Sequence, residues 1–297
     1  MLGALGYRLA GDWRALAAAL GDQLALRPAF LALAWPLQTA GWLLLVDTWR
    51  RILVRFGVDL PLPRHLTACA YSALARALPG SLWAPAGRVA YYRRLGAPAL
   101  DVGAAVLLEW LLLGLAGLAL YALSAPFALA VPPRYALPLA ACAGLAAALL
   151  LRPRAFGAAA RLAARVLQKD PAVAGRSAEA VRGGLWRWLA AELAVLGASG
   201  VALYLVMRAV APAASLGDAM SAWALTVALA NLLAWLPLTG LIKDGSMVLL
   251  LAPLYGSVLV AGAVVVAWRV WMALCELSWA ALAWSVARLA RRATTFG

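Results

Sequence analysis

The stretch 78–113, LPGSLWAPAGRVAYYRRLGAPALDVGAAVLLEWLLL, limits the fold more than any other. An apolar chain is broken at Pro79-Gly80 and again between Pro85 and Gly87, and then runs into Arg88, Arg93 and Arg94. After Gly96 it resumes as a long apolar segment with Glu109 inside it. Broken backbone and charge at membrane depth are costly unless they lie inside protein or line a wet cavity. Residues 65–78 and 81–95 are each too short to cross a bilayer, which takes about 20 residues of helix. Joined at Pro79-Gly80, they are expected to form a re-entrant hairpin that enters from and returns to the cytoplasmic side.

Composition supports a membrane setting. The 297 residues are 66% hydrophobic and 13% charged, against roughly 45–50% and 25% in soluble domains. Uncharged runs at 28–46, 135–151, 219–242 and 246–268 have spanning length. A net charge of +14 would suggest nucleic acid in a soluble protein. Here the basic residues collect between apolar runs, above all at 152–187, as in cytoplasmic loops that touch anionic lipid. No nucleic-acid partner is expected. Cys69, Cys142 and Cys275 stand alone, and His65 is the only histidine. That pattern offers neither a metal-ligand spacing nor an obvious disulfide, so no metal or cofactor is expected. Arg8, Asp12 and Arg14 interrupt what would be the core of a cleavable leader. The plasma, or bacterial inner, membrane is the expected location, with the C-terminus cytoplasmic.

In chain order, residues 1–27 read as an interfacial amphipathic segment, with Leu2, Leu5, Leu9, Trp13, Leu16 and Leu20 at helical spacing. A first membrane repeat, 28–123, comprises a crossing kinked at Pro36, the hairpin 65–96, and a second crossing that carries Asp101 and Glu109. Residues 124–187 hold a proline-rich loop, a linking span at 135–151 and the basic loop. A second repeat, 188–287, carries Glu192 near its start, a hairpin at 219–256 broken at Pro237, and a long last helix with Arg269 and Glu276. A basic tail follows at 288–297. A shift of 158 residues places Pro79 on Pro237, Gly87 on Gly245, Trp110 on Trp268 and Arg50 on Arg208. The linking span would invert the second repeat relative to the first. The fold expected is an all-α polytopic membrane protein of two inverted repeats, each with a Pro/Gly-broken re-entrant pair. Such paired breaks point to a transporter's binding site.

The candidate substrate-binding residues follow from these breaks: Pro79, Gly80, Trp83, Gly87, Arg88 and Glu109 in the first half, and Pro237, Gly240, Lys243, Asp244, Arg269 and Glu276 in the second. A guanidinium can hold phosphate through two parallel hydrogen bonds, and a glycine beside it lets the backbone come close. Against that stands a role for Arg88 as a positive-inside anchor, the better reading for Arg93 and Arg94. Glu109 is expected to pair with a hairpin arginine, with proton coupling as the competing reading. Lys243 and Asp244 read either as an adjacent ion pair or as a second half-site, and Arg269 and Glu276 as structural pairs to another helix. Asn231 is placed to satisfy backbone freed near Pro237. Tryptophans 35, 42, 49, 186, 188, 279 and 284 read as an interfacial belt, with Trp83 at the hairpin tip.

At these residues the chain resembles the membrane region of the lysylphosphatidylglycerol synthase/flippase superfamily. The likeness is carried by Leu78-Pro79-Gly80-Ser81-Leu82-Trp83, Gly87-Arg88, Gly96 and Glu109, and by the 237–245 element PLTGLIKDG. Lys243-Asp244 stand where Arg-Glu would be expected. No synthase domain follows Arg292, so the resemblance implies lipid movement between leaflets without lipid modification. The cargo it implies is an anionic phospholipid or a polyprenyl-phosphate-linked glycan. Two other functions compete. One is a non-transporting partner that positions a glycosyltransferase or synthase through the 152–187 loop; the other is a lipid-modifying membrane transferase. The single histidine and the lack of an Asp-Asp or Ser/His constellation argue against an enzyme. A homo-oligomer is compatible with either membrane role.

Overall fold

A computed structural model of the chain describes residues 27–75, 83–128, 184–211, 214–233 and 239–295, with the isolated positions 138 and 141. The described residues are all-helical. Two sets of four helices occur in the same order, long, short, short, long. The first is α1 (Pro28–Arg55), α2 (Leu62–Ala75), α3 (Trp83–Arg94) and α4 (Ala99–Ser124), extended by a 3-10 turn, Ala125–Phe127. The second is α5 (Leu185–Val210), α6 (Leu216–Leu232), α7 (Thr239–Tyr255) and α8 (Val258–Thr295). Every helix of the second set starts within a few residues of the 158-residue shift from its counterpart.

Local chemistry sets the ends. Pro28 opens α1, where its missing N–H would have had no partner in any case. Ser215 caps α6 in a reciprocal box: its hydroxyl accepts from the Asp218 N–H at 3.1 Å, and the Asp218 carboxylate accepts from the Ser215 N–H at 3.3 Å. Gly96 (φ 85°) ends the turn before α4 and Gly256 (φ 62°) the turn before α8, in the left-handed region where other residues are strained. Gly256 thereby divides the apolar run 246–268 between two helices.

Among the described residues, four segments are long and apolar enough to cross a membrane: Pro28–Arg55, Ala99–Phe127, Leu185–Val210 and Val258–Leu289. Their outward faces fit that setting. Along α8 the exposed side chains include Leu259, Val266, Val270, Leu274 and Leu277, a continuous apolar stripe that water would not tolerate. This is the build of an integral membrane protein.

Inside, α1 lies along α5 and α4 along α6 in the two most extensive contacts, and α2 packs on α8 and on α3. At the α4–α6 contact, a Cβ on Gly117 would stand 2.8 Å from the Ala224 carbonyl oxygen. The two helices approach so closely only because that position is glycine.

One expectation is corrected. Trp42, Trp49, Trp188 and Trp279 are core residues rather than belt residues, each at most 8% exposed; Trp186 and Trp284 do lie exposed. Helix α8 runs on to Thr295, so the basic residues of 288–297 begin inside it. The segment 1–26, the hairpin tip 76–82 with Pro79 and Gly80, the span 135–151 apart from 138 and 141, the loop 152–183, and Pro237 lie outside the described residues.

Candidate functional site

The first half builds a buried charged site from three helices. On α3, Arg88 points inward and is 7% exposed; on α4, Glu109 is 2% exposed. Arg88 Nη1 donates to Glu109 Oε2 at 2.5 Å. Arg88 Nη2 reaches Ser72 Oγ on α2 at 3.3 Å. Two polar atoms of the pair stay without a hydrogen bond: Arg88 Nε and Glu109 Oε1. The pair thus has capacity for one further donor and one further acceptor.

A second layer holds the guanidinium in place. Arg88 Cζ lies 4.4 Å from the ring centroid of Trp49 on α1, a cation over an aromatic face. The Trp49 indole N–H donates to the Tyr92 hydroxyl at 2.9 Å. That hydroxyl is also 2.8 Å from His65 Nδ1, while His65 Nε2 lies 3.0 Å from the Leu60 carbonyl oxygen. A carbonyl only accepts, so Nε2 carries the ring proton and Nδ1 accepts from Tyr92. The chain Trp49, Tyr92, His65, Leu60 is therefore satisfied at every link, and Trp49, Tyr92 and His65 are fully buried. A network completed in this way fixes the geometry of its members.

Beside this pair sits Glu192 on α5. It is fully buried, and among the described residues neither carboxyl oxygen has a hydrogen-bond partner. Glu109 and Arg88 are close enough for their charges to act on it. Among the described residues, no three His, Cys, Asp or Glu side chains converge as a metal site would need. The cluster is one cation with two carboxylates.

The second half arranges its charges differently. Lys243 on α7 places Nζ 4.8 Å from the Trp223 ring on α6. Trp223 meets Trp268 edge-on at 5.3 Å, and Trp268 stacks on Trp271 at 5.4 Å. Asp244 pairs across to α8, where Arg269 Nη2 donates to Asp244 Oδ1 at 2.6 Å. Lys243 and Asp244 thus turn to separate partners instead of forming a local pair. Both Asp244 and Arg269 keep more than a third of their side chains exposed. Glu276 is half-buried further along α8. Asn231 donates to the Val227 carbonyl within α6 at 2.9 Å and so serves its own helix.

The structure therefore joins Arg88 to Glu109 and Asp244 to Arg269, in two separate places. Trp83 opens α3 with 57% of its surface exposed. Gly87 and Gly245 face open space, with no atom within 4 Å of an added Cβ. Gly240 lies in the first turn of α7. Arg93 and Arg94 are exposed, as anchors are. The residues not singled out beforehand are Trp49, Tyr92, His65, Ser72 and Glu192. Glu192 had a signal, since it is the one charge in the run 188–207, and an ionisable residue within a span is a functional candidate by default. No protein-family model, curated protein or solved structure matches the chain.

Proposed function

We propose that the chain moves an anionic, phosphate-bearing lipid or lipid-linked glycan between the leaflets of the membrane by alternating access. Arg88 is the residue that takes the headgroup. The observation that carries this reading is a guanidinium buried among apolar helices with Nε unengaged and Glu109 as its counterion. A planar guanidinium binds phosphate and carboxylate through the same two-pronged geometry, so Glu109 occupies the position that a phosphate would take. The open space beside Gly87, one residue before Arg88, gives a headgroup room to approach.

Two further observations support an inverted-repeat transporter. The long–short–short–long order recurs with matching starts. The contacts are also exchanged between the halves: α2, which opens the first broken pair, packs on α8, and α6, which opens the second, packs on α4. The first helix of each short pair thus rests on the last helix of the other half, while α3 and α7 pack on the last helix of their own half, an arrangement in which one half can rock against the other. The resemblance of 78–109 and 237–245 to the flippase-like superfamily points the same way.

The test is mass spectrometry of lipids retained by the purified chain, wild type beside Arg88→Lys. This substitution keeps the charge and removes the fork. An enriched phosphate-bearing lipid in the wild type that is depleted in the variant is the expected result. Bulk lipid in both, unchanged by the substitution, would replace this reading with that of a non-transporting partner for a synthesis enzyme.

A further inference from the structure

We propose that Glu192 is a proton-binding site that works as a switch with the Arg88–Glu109 pair. Glu192 holds a proton while Arg88 is bound to Glu109, and loses it when the guanidinium turns to Glu192.

The argument begins from charge balance in a dry interior. One guanidinium and two carboxylates lie together, and both carboxylates are at most 2% exposed. Fully ionised, the trio would carry an uncompensated negative charge, which an apolar interior does not hold. Glu109 has its cation; Glu192 has neither a cation nor a hydrogen-bond donor. The proton therefore belongs on Glu192 in this arrangement.

The helices packed against α5 carry further charges. Among the described residues, α1 carries Asp47, Arg50, Arg51 and Arg55, and α4 carries Asp101 besides Glu109. Asp218 on α6 is engaged by Ser215, α8 carries Arg269, Glu276, Arg288, Arg291 and Arg292, and α5 itself carries Arg187 and Arg208. The charges that act on Glu192 are those of Glu109 and Arg88. Burial raises the Tyr92 hydroxyl further above its ordinary range, so it brings no charge to Arg88.

The placement gives the switch a direction. Arg88 and Glu109 belong to the first set of helices and Glu192 to the second. A guanidinium that leaves Glu109 for Glu192 moves from one half to the other. The proton passes the opposite way, from the Glu192 carboxyl to the Glu109 carboxylate, and the trio stays neutral in both states. This deepens the proposed function, since it names an internal proton transfer that accompanies the movement of one half against the other, and it rests on that reading for its purpose but not for its chemistry.

Infrared spectroscopy of the full chain in a bilayer separates the outcomes, because a protonated carboxyl absorbs apart from a carboxylate. The wild type is expected to show a buried protonated-carboxyl band at neutral pH, and Glu192→Gln to lose it. Glu109→Gln is expected to lose it as well, because Arg88 then turns to Glu192 and ionises it. Arg88→Gln, which leaves both carboxylates without a cation, is expected to intensify the band, and it stands in if Glu109→Gln loses its helical amide signal. A wild type without the band, or a band that persists in Glu109→Gln and is unchanged in Arg88→Gln, overturns the switch. The readout needs no transport. A chain that exchanges no lipid yet loses the band in both glutamine variants would refute the transport reading and leave the switch standing.

Discussion

Each half of this molecule sets a cation over a tryptophan, and the two settings differ in what surrounds them. In the first half Arg88 lies over Trp49, buried, paired to a buried carboxylate and backed by a complete hydrogen-bond chain through Tyr92 and His65. In the second, Lys243 lies half-exposed over Trp223, and the nearby carboxylate, Asp244, has gone to Arg269 at a solvated pair. The difference lies in where energy is concentrated. A buried pair is held rigidly and is costly to break, whereas an exposed pair is screened and contributes little.

Substitutions can break or sharpen this contrast. The largest effect is expected from Arg88→Ala, which strands Glu109 and should lower unfolding stability in detergent by about 3–5 kcal/mol. The equivalent cut in the second half, Arg269→Ala, should cost only about 0–1 kcal/mol, and less at high salt. Equal losses for the two would erase the distinction. Next comes Gly117→Val, which forces α4 off α6 where the halves meet; denaturant titration should show about 1–3 kcal/mol of overpacking. Tyr92→Phe removes the hydroxyl that links Trp49 to His65 and leaves two buried groups unpaired. It should cost about 1–3 kcal/mol, and a neutral result would mean that the chain behind Arg88 is not holding it. The smallest expected change is Lys243→Ala, about 0.5–1 kcal/mol for a partly exposed cation–aromatic contact.

Much of the architecture was legible in the sequence because its determinants are local. The short helices α2 and α3, the long α4 after Gly96 and the broken α6–α7 pair follow from Pro, Gly and the lengths of apolar runs. Pairing was harder to read. Glu109 could be matched to a hairpin arginine because few opposite charges share that part of the chain, but which of Arg88, Arg93 and Arg94 it takes is decided by packing. Asp244 could not be assigned to Arg269, because a neighbouring lysine in sequence looked equally suitable, and only the packing of α7 on α8 decides between them. Tryptophan was misread for a related reason. A belt residue and a core residue have the same side chain, and the facing helix determines which one Trp49 becomes. Glu192 was visible as a lone charge, but its proximity to Glu109 depends on α5 lying against α4, which no local pattern states.

The most direct test of the account is leaflet exchange of a labelled anionic phospholipid in proteoliposomes, compared for wild type, Arg88→Lys and Arg269→Lys. The account predicts exchange above that of protein-free vesicles for the wild type and for Arg269→Lys, and its loss in Arg88→Lys with the helical content retained. Wild-type exchange in Arg88→Lys, or exchange lost only in Arg269→Lys, would contradict it and move the site to the second half or out of the protein.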